Sequence, residues 1–328
     1  MTPSVDIVIV TYNSAEHIGA CLDSIAASDF TGPIHTVVVD NASSDDTIAV
    51  VTAHPAAVQL LASATNRGFA AACNQGIRAT SGDLVLLLNP DACLEPATLE
   101  RMVTYLNAHP QVAIVGPRLV QEDGSLQRDI SATGLFPSFR QALFEYTRLG
   151  SLRPQSPWYR NYFLLDFDRV SNRRVAMVQG ACFLFRRGIL RDTGLLDEDF
   201  FLYFEETDFC KRAADRGWEI HYVGEAAARH IGSRSMQGGR PSARYFIASM
   251  YRFHRKHYGL AEAAALWAIL MPYHGLRVVR LLVTDAFTPP DTQRRADLRT
   301  ASERFVAHWT LLAAQRRPIV AAAAPAAG

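Results

Sequence analysis

Three β-rich runs in the first third of this chain each stop abruptly at polar residues, and that alternation constrains the fold more than any other feature. Val5 to Val10 is apolar but for Asp6 and ends in Thr11-Tyr12-Asn13-Ser14. Ile34 to Val39 ends at Asp40, and Leu84 to Leu88 ends in Asn89-Pro90-Asp91. Weaker runs at Val58 to Leu61 and Val112 to Val115 supply two more strands. Between them lie stretches of helical periodicity, such as Ile18, Cys21, Leu22 and Ile25 on one face. Strands alternating with helices predict an α/β fold, a mostly parallel sheet flanked by helices. Ligands of such sheets bind past the carboxyl ends of the strands, where strand-end loops and helix amino termini converge. The polar residues after the first, second and fourth strands therefore mark the candidate site.

With 328 residues, 49% of them hydrophobic and 20% charged, the chain suits one large α/β domain with an appendage. A formal net charge of +1 gives no whole-molecule attraction to nucleic acid, which is not expected as a partner. The five cysteines are odd in number and form no Cys-x-x-Cys pair. Buried, reduced thiols and a cytoplasmic location are expected, not a disulfide scaffold or thiolate zinc site. Met1 to Ser4 lack the basic region of a signal peptide. The longest uncharged apolar run, Ala263 to Leu276, is interrupted by Pro272 and Gly275. At about 14 residues it falls short of the ~20 needed to cross a bilayer.

The pattern loosens from Gln121 to Ala176, where a mobile segment over a site and an irregular packed connection are both open readings. Order returns at Val178 to Arg186; Phe200 to Arg216 reads as a loop leading into a helix, and Glu219 to Val223 as a last strand. Beyond Arg234, residues 244–318 carry twelve arginines and lysines against five acids, mixed with aromatic residues in helical stretches. This basic amphipathic extension reads as a peripheral membrane contact or as a homodimer interface. The tail, Ala321 to Gly328, reads as disordered. The divisions expected are 1–120, 121–235 and, for the helical extension, 236–328.

Individual residues suggest chemistry. Asp40, at a strand end, can accept from ribose hydroxyls or a base N–H, while the Ser and Asp residues after it cap a helix. Asn66-Arg67-Gly68-Phe69, with Asn74 beyond, sets a cation and amides at a helix start where phosphate can be met. Pro90 stops its strand and leaves Asp91 as a candidate oxygen ligand for Mg²⁺ or Mn²⁺, completed by diphosphate oxygens. Glu205-Glu206-Thr207-Asp208 follows Phe200-Phe201-Leu202-Tyr203-Phe204. Apolar surroundings and neighbouring acids raise a carboxyl pKa and suit one of these groups to act as a base. His230, taken alone, reads more readily as structural than as a ligand.

In order along the chain, Val8-Ile9-Val10-Thr11-Tyr12-Asn13, Val38-Val39-Asp40-Asn41-Ala42-Ser43, Asn66-Arg67-Gly68-Phe69, Leu88-Asn89-Pro90-Asp91, Gln179-Gly180-Ala181, Phe204-Glu205-Glu206-Thr207-Asp208 and His230 resemble family-2 glycosyltransferases, most of all bacterial rhamnosyltransferase-type enzymes of cell-envelope polysaccharide synthesis. The likeness runs from about Val5 to Ser235. It implies a GT-A fold and transfer with inversion, from a nucleotide sugar to a saccharide or polyprenyl-linked acceptor, at or near the inner face of the cell membrane. It assigns Thr11, Asp40 and Arg67 to the nucleotide, with Tyr12, Asn13, Asn66, Asn74 and Asn89 in the surrounding motifs. It assigns Asp91 to the metal, His230 to a second metal position, Glu206 to the base, and Gly180 to the acceptor side, with Ala181 and Asp208 beside these. Two departures stand out. The family's Asp-x-Asp is Asn89-x-Asp91 here, and the base position, usually aspartate, is Glu206, which leaves Glu205 as a competitor. The resemblance favours dTDP-L-rhamnose as donor, with UDP-sugars next.

Other readings fit less well. A retaining or hydrolytic carbohydrate enzyme needs a carboxylate pair across the sugar and leaves the nucleotide-style strand ends idle. A sugar nucleotidyltransferase calls for a Gly-rich basic loop after the first strand, and a Rossmann dehydrogenase for Gly-x-Gly-x-x-Gly; neither is present. A non-catalytic nucleotide-sugar-binding protein has no use for both Asp91 and the acidic cluster.

Overall fold

The structure, a computed structural model, describes residues 2–127, 132–147, 155–231, 243–287 and 292–314. Eleven strands are seen among them: β1 (Val5–Thr11), β2 (Ile34–Asp40), β3 (Val58–Ala62), β4 (Leu84–Leu88), β5 (Ala92–Leu94), β6 (Val112–Val120), β7 (Ala132–Thr133), β8 (Arg173–Val175), β9 (Met177–Val178), β10 (Cys182–Arg186) and β11 (Glu219–His230). The principal helices are α1 (Ile18–Ala26), α2 (Thr47–Ala53), α3 (Phe69–Arg78), α4 (Thr98–Ala108), α5 (Phe139–Tyr146), α6 (Pro157–Tyr162), α7 (Glu205–Asp215), α8 (Ala243–Tyr258), α9 (Leu260–Phe287) and α10 (Thr292–Ala314). The chain divides into a sheet unit, Met1–Phe136, Pro157–Asp199 and Glu205–Gln237, and a helical unit, Pro137–Ser156, Phe200–Phe204 and Gly238–Gly328.

The main sheet of the sheet unit runs β3-β2-β1-β4-β10-β6-β11-β5, with β8 also on β11. Its first four strands are parallel, and β10 lies antiparallel between β4 and β6. Both faces are covered, which explains why β1 and β4 are buried at every position. One face packs α1 and α4 against Ile7, Ile9, Leu86 and Leu88, and the other packs α3 against Val8, Val37 and Val39. Asp6 is the one acid inside β1. It is held by Arg187 Nη2 at 2.6 Å and the Gly82 amide at 2.5 Å, so its burial leaves no charge unmet. Helix α3 lies so close to β1 that a Cβ on Gly76 would stand 2.4 Å from Val8 Cγ1; only glycine permits that approach.

Register decides which strand ends meet. β1 and β2 pair with Thr11 opposite Asp40, β4 pairs with β1 so that Leu88 faces Ile9, and β10 pairs with β4 so that Cys182 faces Leu88. The loops after Thr11, Asp40 and Leu88, together with the residues just before Cys182, thus share one edge. The structure departs from the sequence reading at this edge, where one strand is new and the last strand, read as Glu219 to Val223, is longer. Short β5 follows the Asn89-Pro90-Asp91 turn, and β11 runs on past Val223 through a register shift to His230.

In the helical unit Ile247, Met250 and Phe253 of α8 pack with Ala263, Leu266 and Leu270 of α9, Ala307 of α10 and Ala142 of α5. Phe200 and Phe204 belong to this same core. The expected interruption at Pro272 and Gly275 does not occur, for α9 is a single helix of 28 residues. Its buried stripe, Ala263, Leu266, Leu270 and His274, continues on both sides of Pro272. That packing offsets the ~3 kcal/mol a mid-helix proline costs. Gly275 is a contact point, where a Cβ would stand 3.0 Å from the Phe305 ring of α10. Leu260–Asp285 is therefore long and apolar enough, by length and composition alone, to cross a membrane, with mean hydropathy 1.3 and 17% of that window buried. The expectations for the tail beyond Ala321 and for the end of the likeness at Ser235 lie outside the described residues.

Candidate active site

The end of β1 and the end of β2 form one hydrogen-bonded unit. Thr11 Oγ1 donates to Asp40 Oδ1 at 2.9 Å, the Ser43 amide donates to Oδ2 at 2.9 Å, and the Ser43 hydroxyl donates to Oδ1 at 2.5 Å. Three of roughly four acceptor positions on Asp40 are thus occupied, and the side chain is 1% exposed. Asn13 bridges the same loops, receiving the Ser44 amide at 2.8 Å while its own amide donates to the Ser43 hydroxyl at 2.9 Å. Asn13 and Ala42 both hold left-handed backbone, φ 51° and 67°. Non-glycine residues there store strain that persists only where surroundings impose it, as at ligand sites. Tyr12 stands out from this loop, its side chain exposed.

Asn41 ties the next loop in. Its Nδ2 donates to Asn66 Oδ1 at 2.9 Å and to the Gly68 carbonyl at 3.2 Å, and its Oδ1 receives the Arg67 amide at 3.0 Å. The Arg67 backbone is thereby tied to the residue after Asp40, while its guanidinium is exposed and 3.5 Å from Glu198. Asn74 does something other than expected. It is 1% exposed, its Nδ2 donates to the Leu196 carbonyl and to Glu198, and its Oδ1 receives the Leu196 amide. No part of it is open to a nucleotide; it anchors the 196–198 loop to α3.

At the end of β4 the chain reverses in a proline turn, with the Ala92 amide donating to the Asn89 carbonyl at 3.0 Å. β5 then pairs antiparallel with β11, placing His230 opposite Ala92. The Ile231 amide donates to the Asp91 carbonyl at 3.1 Å. His230 Nε2 consequently lies 3.5 Å from Asp91 Oδ1, both side chains buried. Among the described residues no group of three or more His, Cys, Asp or Glu could hold a metal alone. Two donors of this kind fit a cation of the Mg²⁺ or Mn²⁺ class if ligand oxygens and water complete its shell. Neighbouring ligands about 2.1 Å from an octahedral ion stand ~3 Å apart, close to the separation here.

The same turn reaches the acidic cluster. The Asn89 amide donates to the Ala181 carbonyl at 2.9 Å, and the adjoining Gly180 abuts Glu206, whose Cβ, Cγ and Cδ would stand 3.6–3.8 Å from a Cβ there. Ala181 itself is buried in the core. Glu205 is buried and Glu206 half-buried, and the Oε2 of each has no hydrogen-bond partner among the described residues. Burial, followed by the charge of Glu206, pushes the Glu205 carboxyl well above the ordinary range; burial raises Glu206. Asp208, expected near the acceptor, is 0% exposed and holds Arg212 Nε at 2.8 Å across one helical turn. It is a structural ion pair within α7 with no open face.

Residues 3–246 match the family described as Glycosyltransferase like family 2. The chain belongs to this family. One relative of the glycosyltransferase is the N-acetylglucosaminyl-diphospho-decaprenol L-rhamnosyltransferase of Mycobacterium tuberculosis, 28% identical over 82% of this chain and 90% of that protein. A low-salt glycan biosynthesis hexosyltransferase, Agl10 of Haloferax volcanii, is 28% identical over 65% of this chain and 62% of its own length. Among solved structures, the mannosyltransferase PcManGT from Pyrobaculum calidifontis, in complex with GDP-Man and Mn²⁺, superposes with TM-score 0.56 at 19% identity, covering 95% of this chain and 88% of that one. A TarS fragment from S. aureus with UDP-GlcNAc gives TM-score 0.51 at 16% identity, covering 94% and 92%. The glycosyltransferase therefore has the GT-A fold, an α/β sheet flanked by helices with a helical C-terminal part.

Three residues that matter to this geometry were not singled out from the sequence. Asn41 and Ser43 lie inside the Val38–Ser43 motif but were given no role of their own beyond helix capping by the serines, and Gln127, whose Oε1 is 3.0 Å from His230 Nδ1, carried no local signal.

Proposed function

We propose that this glycosyltransferase is an inverting hexosyltransferase, passing L-rhamnose from dTDP-L-rhamnose onto a polyprenyl-linked saccharide in cell-envelope polysaccharide synthesis. The observation that carries the reading is the short chain of contacts from His230 and Asp91, through the Asn89–Ala181 hydrogen bond, to Gly180 and Glu206. It supports a reading in which a cation pair and a desolvated base occupy neighbouring positions of one sheet edge. The mycobacterial relative, named as an L-rhamnosyltransferase of a decaprenol-linked N-acetylglucosamine, supports the sugar and the lipid-linked acceptor.

Glu206 takes the proton of the acceptor hydroxyl as that oxygen attacks the anomeric carbon, which fits a carboxyl whose pKa is raised by burial. Gly180 leaves open the space beside it. Asp40, positioned by Thr11 and Ser43, accepts from the nucleoside, with Tyr12, Asn13 and Asn66 shaping the pocket edge. Arg67 exchanges Glu198 for phosphate. A divalent cation bound by Asp91 and His230 with diphosphate oxygens would stabilise the charge gathering on the departing nucleoside diphosphate.

One face of α9 supports peripheral attachment at the inner membrane surface. Ile269, Leu276, Val279 and Val283 are exposed at helical spacing with Arg280 beside them, and Val306 and Trp309 are exposed on α10. A homodimer through this face is the competing use of it.

The test is a donor panel of dTDP-L-rhamnose and UDP-hexoses with a polyprenyl-diphosphate N-acetylglucosamine acceptor, the product's anomeric configuration being read by NMR. Turnover of a UDP-sugar alone replaces the donor, a retained configuration removes the direct displacement, and nucleotide binding without any turnover leaves a binding protein.

A further inference from the structure

Gln127 is fixed in place by backbone. Its amide donates to the Leu119 carbonyl at 3.0 Å, and the turn before it closes through the Gln121 amide on the Ser125 carbonyl at 2.8 Å and a bridge between Val120 and Leu126. From there its Oε1 stands 3.0 Å from Nδ1 of His230. An amide oxygen only accepts, so this contact is a hydrogen bond when Nδ1 carries the proton. In the neutral ring Nε2 then has a lone pair, directed at the Asp91 carboxylate 3.5 Å away. A lone pair and a carboxylate facing one another repel unless a proton or a metal cation lies between them.

We propose that Gln127 is a positioning residue that holds His230 in its Nδ1–H tautomer and so presents the Nε2 lone pair to the cation shared with Asp91. The proposal rests on Asp91 and His230 being a cation pair. Without the Gln127 acceptor either ring nitrogen can carry the proton, and every molecule with a proton on Nε2 must shift it before binding metal. Loss of such a supporting hydrogen bond typically weakens metal affinity by about 10- to 100-fold.

The full chain is titrated with Mn²⁺ in the presence of dTDP, free Mn²⁺ being read by electron paramagnetic resonance. The His230 tautomer is read in metal-free, ¹⁵N-histidine-labelled protein from long-range proton–nitrogen correlations. Gln127→Leu should lose about 10- to 100-fold in Mn²⁺ affinity together with the Nδ1–H pattern. Gln127→Glu keeps an acceptor at the same reach and should retain both. His230→Gln should weaken Mn²⁺ at least as far as Gln127→Leu. If His230→Gln loses Mn²⁺ but Gln127→Leu keeps native affinity and tautomer, the role of Gln127 is overturned and the cation pair stands. Equal losses in both Gln127 variants with the tautomer unchanged overturn it too, since the side chain then serves only the local fold. Unchanged Mn²⁺ affinity in His230→Gln overturns the cation pair itself, and this proposal with it.

Discussion

His230 Nε2 and Asp91 Oδ1 lie 3.5 Å apart because an antiparallel ladder sets Ala92 opposite His230, bringing a strand-end turn and the end of a distant strand into one buried corner. Two ligands alone bind Mg²⁺ or Mn²⁺ weakly, so cation and nucleoside diphosphate should bind together. Calorimetry with dTDP and UDP should show affinity that collapses in EDTA, and Asp91→Asn should reduce both metal-dependent binding and turnover. Equal affinity with and without EDTA would take the metal out of the mechanism.

Glu205 and Glu206 point differently from the start of α7, and only Glu206 abuts Gly180. Glu206→Gln keeps the shape and removes the proton acceptor, so transfer should fall by roughly 10² or more, with nucleotide affinity within a few-fold. Because burial raises this carboxyl, activity in the native enzyme should fall with acidification at a pH above the ordinary carboxylate range. Near-normal transfer in Glu206→Gln beside a dead Glu205→Gln would move the base to Glu205.

Gly180 offers a finer probe. A methyl there would meet Glu206 Cδ at 3.8 Å, an ordinary contact that the fold tolerates. Gly180→Ala should therefore melt within a few degrees of the native protein yet transfer more slowly, by about tenfold if the methyl displaces the acceptor oxygen by even a fraction of an ångström. An unaffected rate would show that acceptors approach Glu206 from another side.

His274 and His308 stack at 5.0 Å inside the helical unit, each 1% exposed. Burial first, then neighbouring positive charge, lowers their pKa values to about 3 and about 4. The rings are neutral when folded but protonate near pH 6.5 when unfolded, so their stabilisation is full above that pH and is lost as pH falls toward the folded values. By pH 5 the loss should be on the order of 2 kcal/mol per ring. Trp267 donates to the His308 carbonyl and should report it as a fluorescence transition moving to lower temperature between pH 7 and pH 5. A melting temperature flat across that range would contradict the assignment.

Flotation with vesicles rich in anionic lipid tests the exposed face of α9. The protein should rise with the vesicles at low salt, and Leu276→Glu with Val279→Glu should abolish this without altering nucleotide binding. A native protein that stays at the bottom has no such attachment, and light scattering then reads whether the face joins two copies.

Much of this protein follows from local sequence alone. Alternating strand and helix periods, and polar residues where apolar runs stop, are short-range signals; they suffice for the α/β architecture and mark the strand ends at Thr11, Asp40 and Asp91, whereas Glu206 was assigned by the family resemblance. What no local signal could decide is which of these side chains remain open to a ligand. Asn74 and Asp208 look like site residues by position, yet both are spent on neighbours, Asn74 on the 196–198 loop and Asp208 on Arg212. His230 and Gln127 meet only because β6 pairs with β11, setting Arg229 opposite Val120, and the turn after β6 folds back, a contact spanning 103 residues of chain. Pro272 likewise reads as a helix breaker until packing on both sides of it is known. Hydrogen-bond partners and burial are properties of residues distant in sequence, and strand register, which selects them, is set by the tertiary fold.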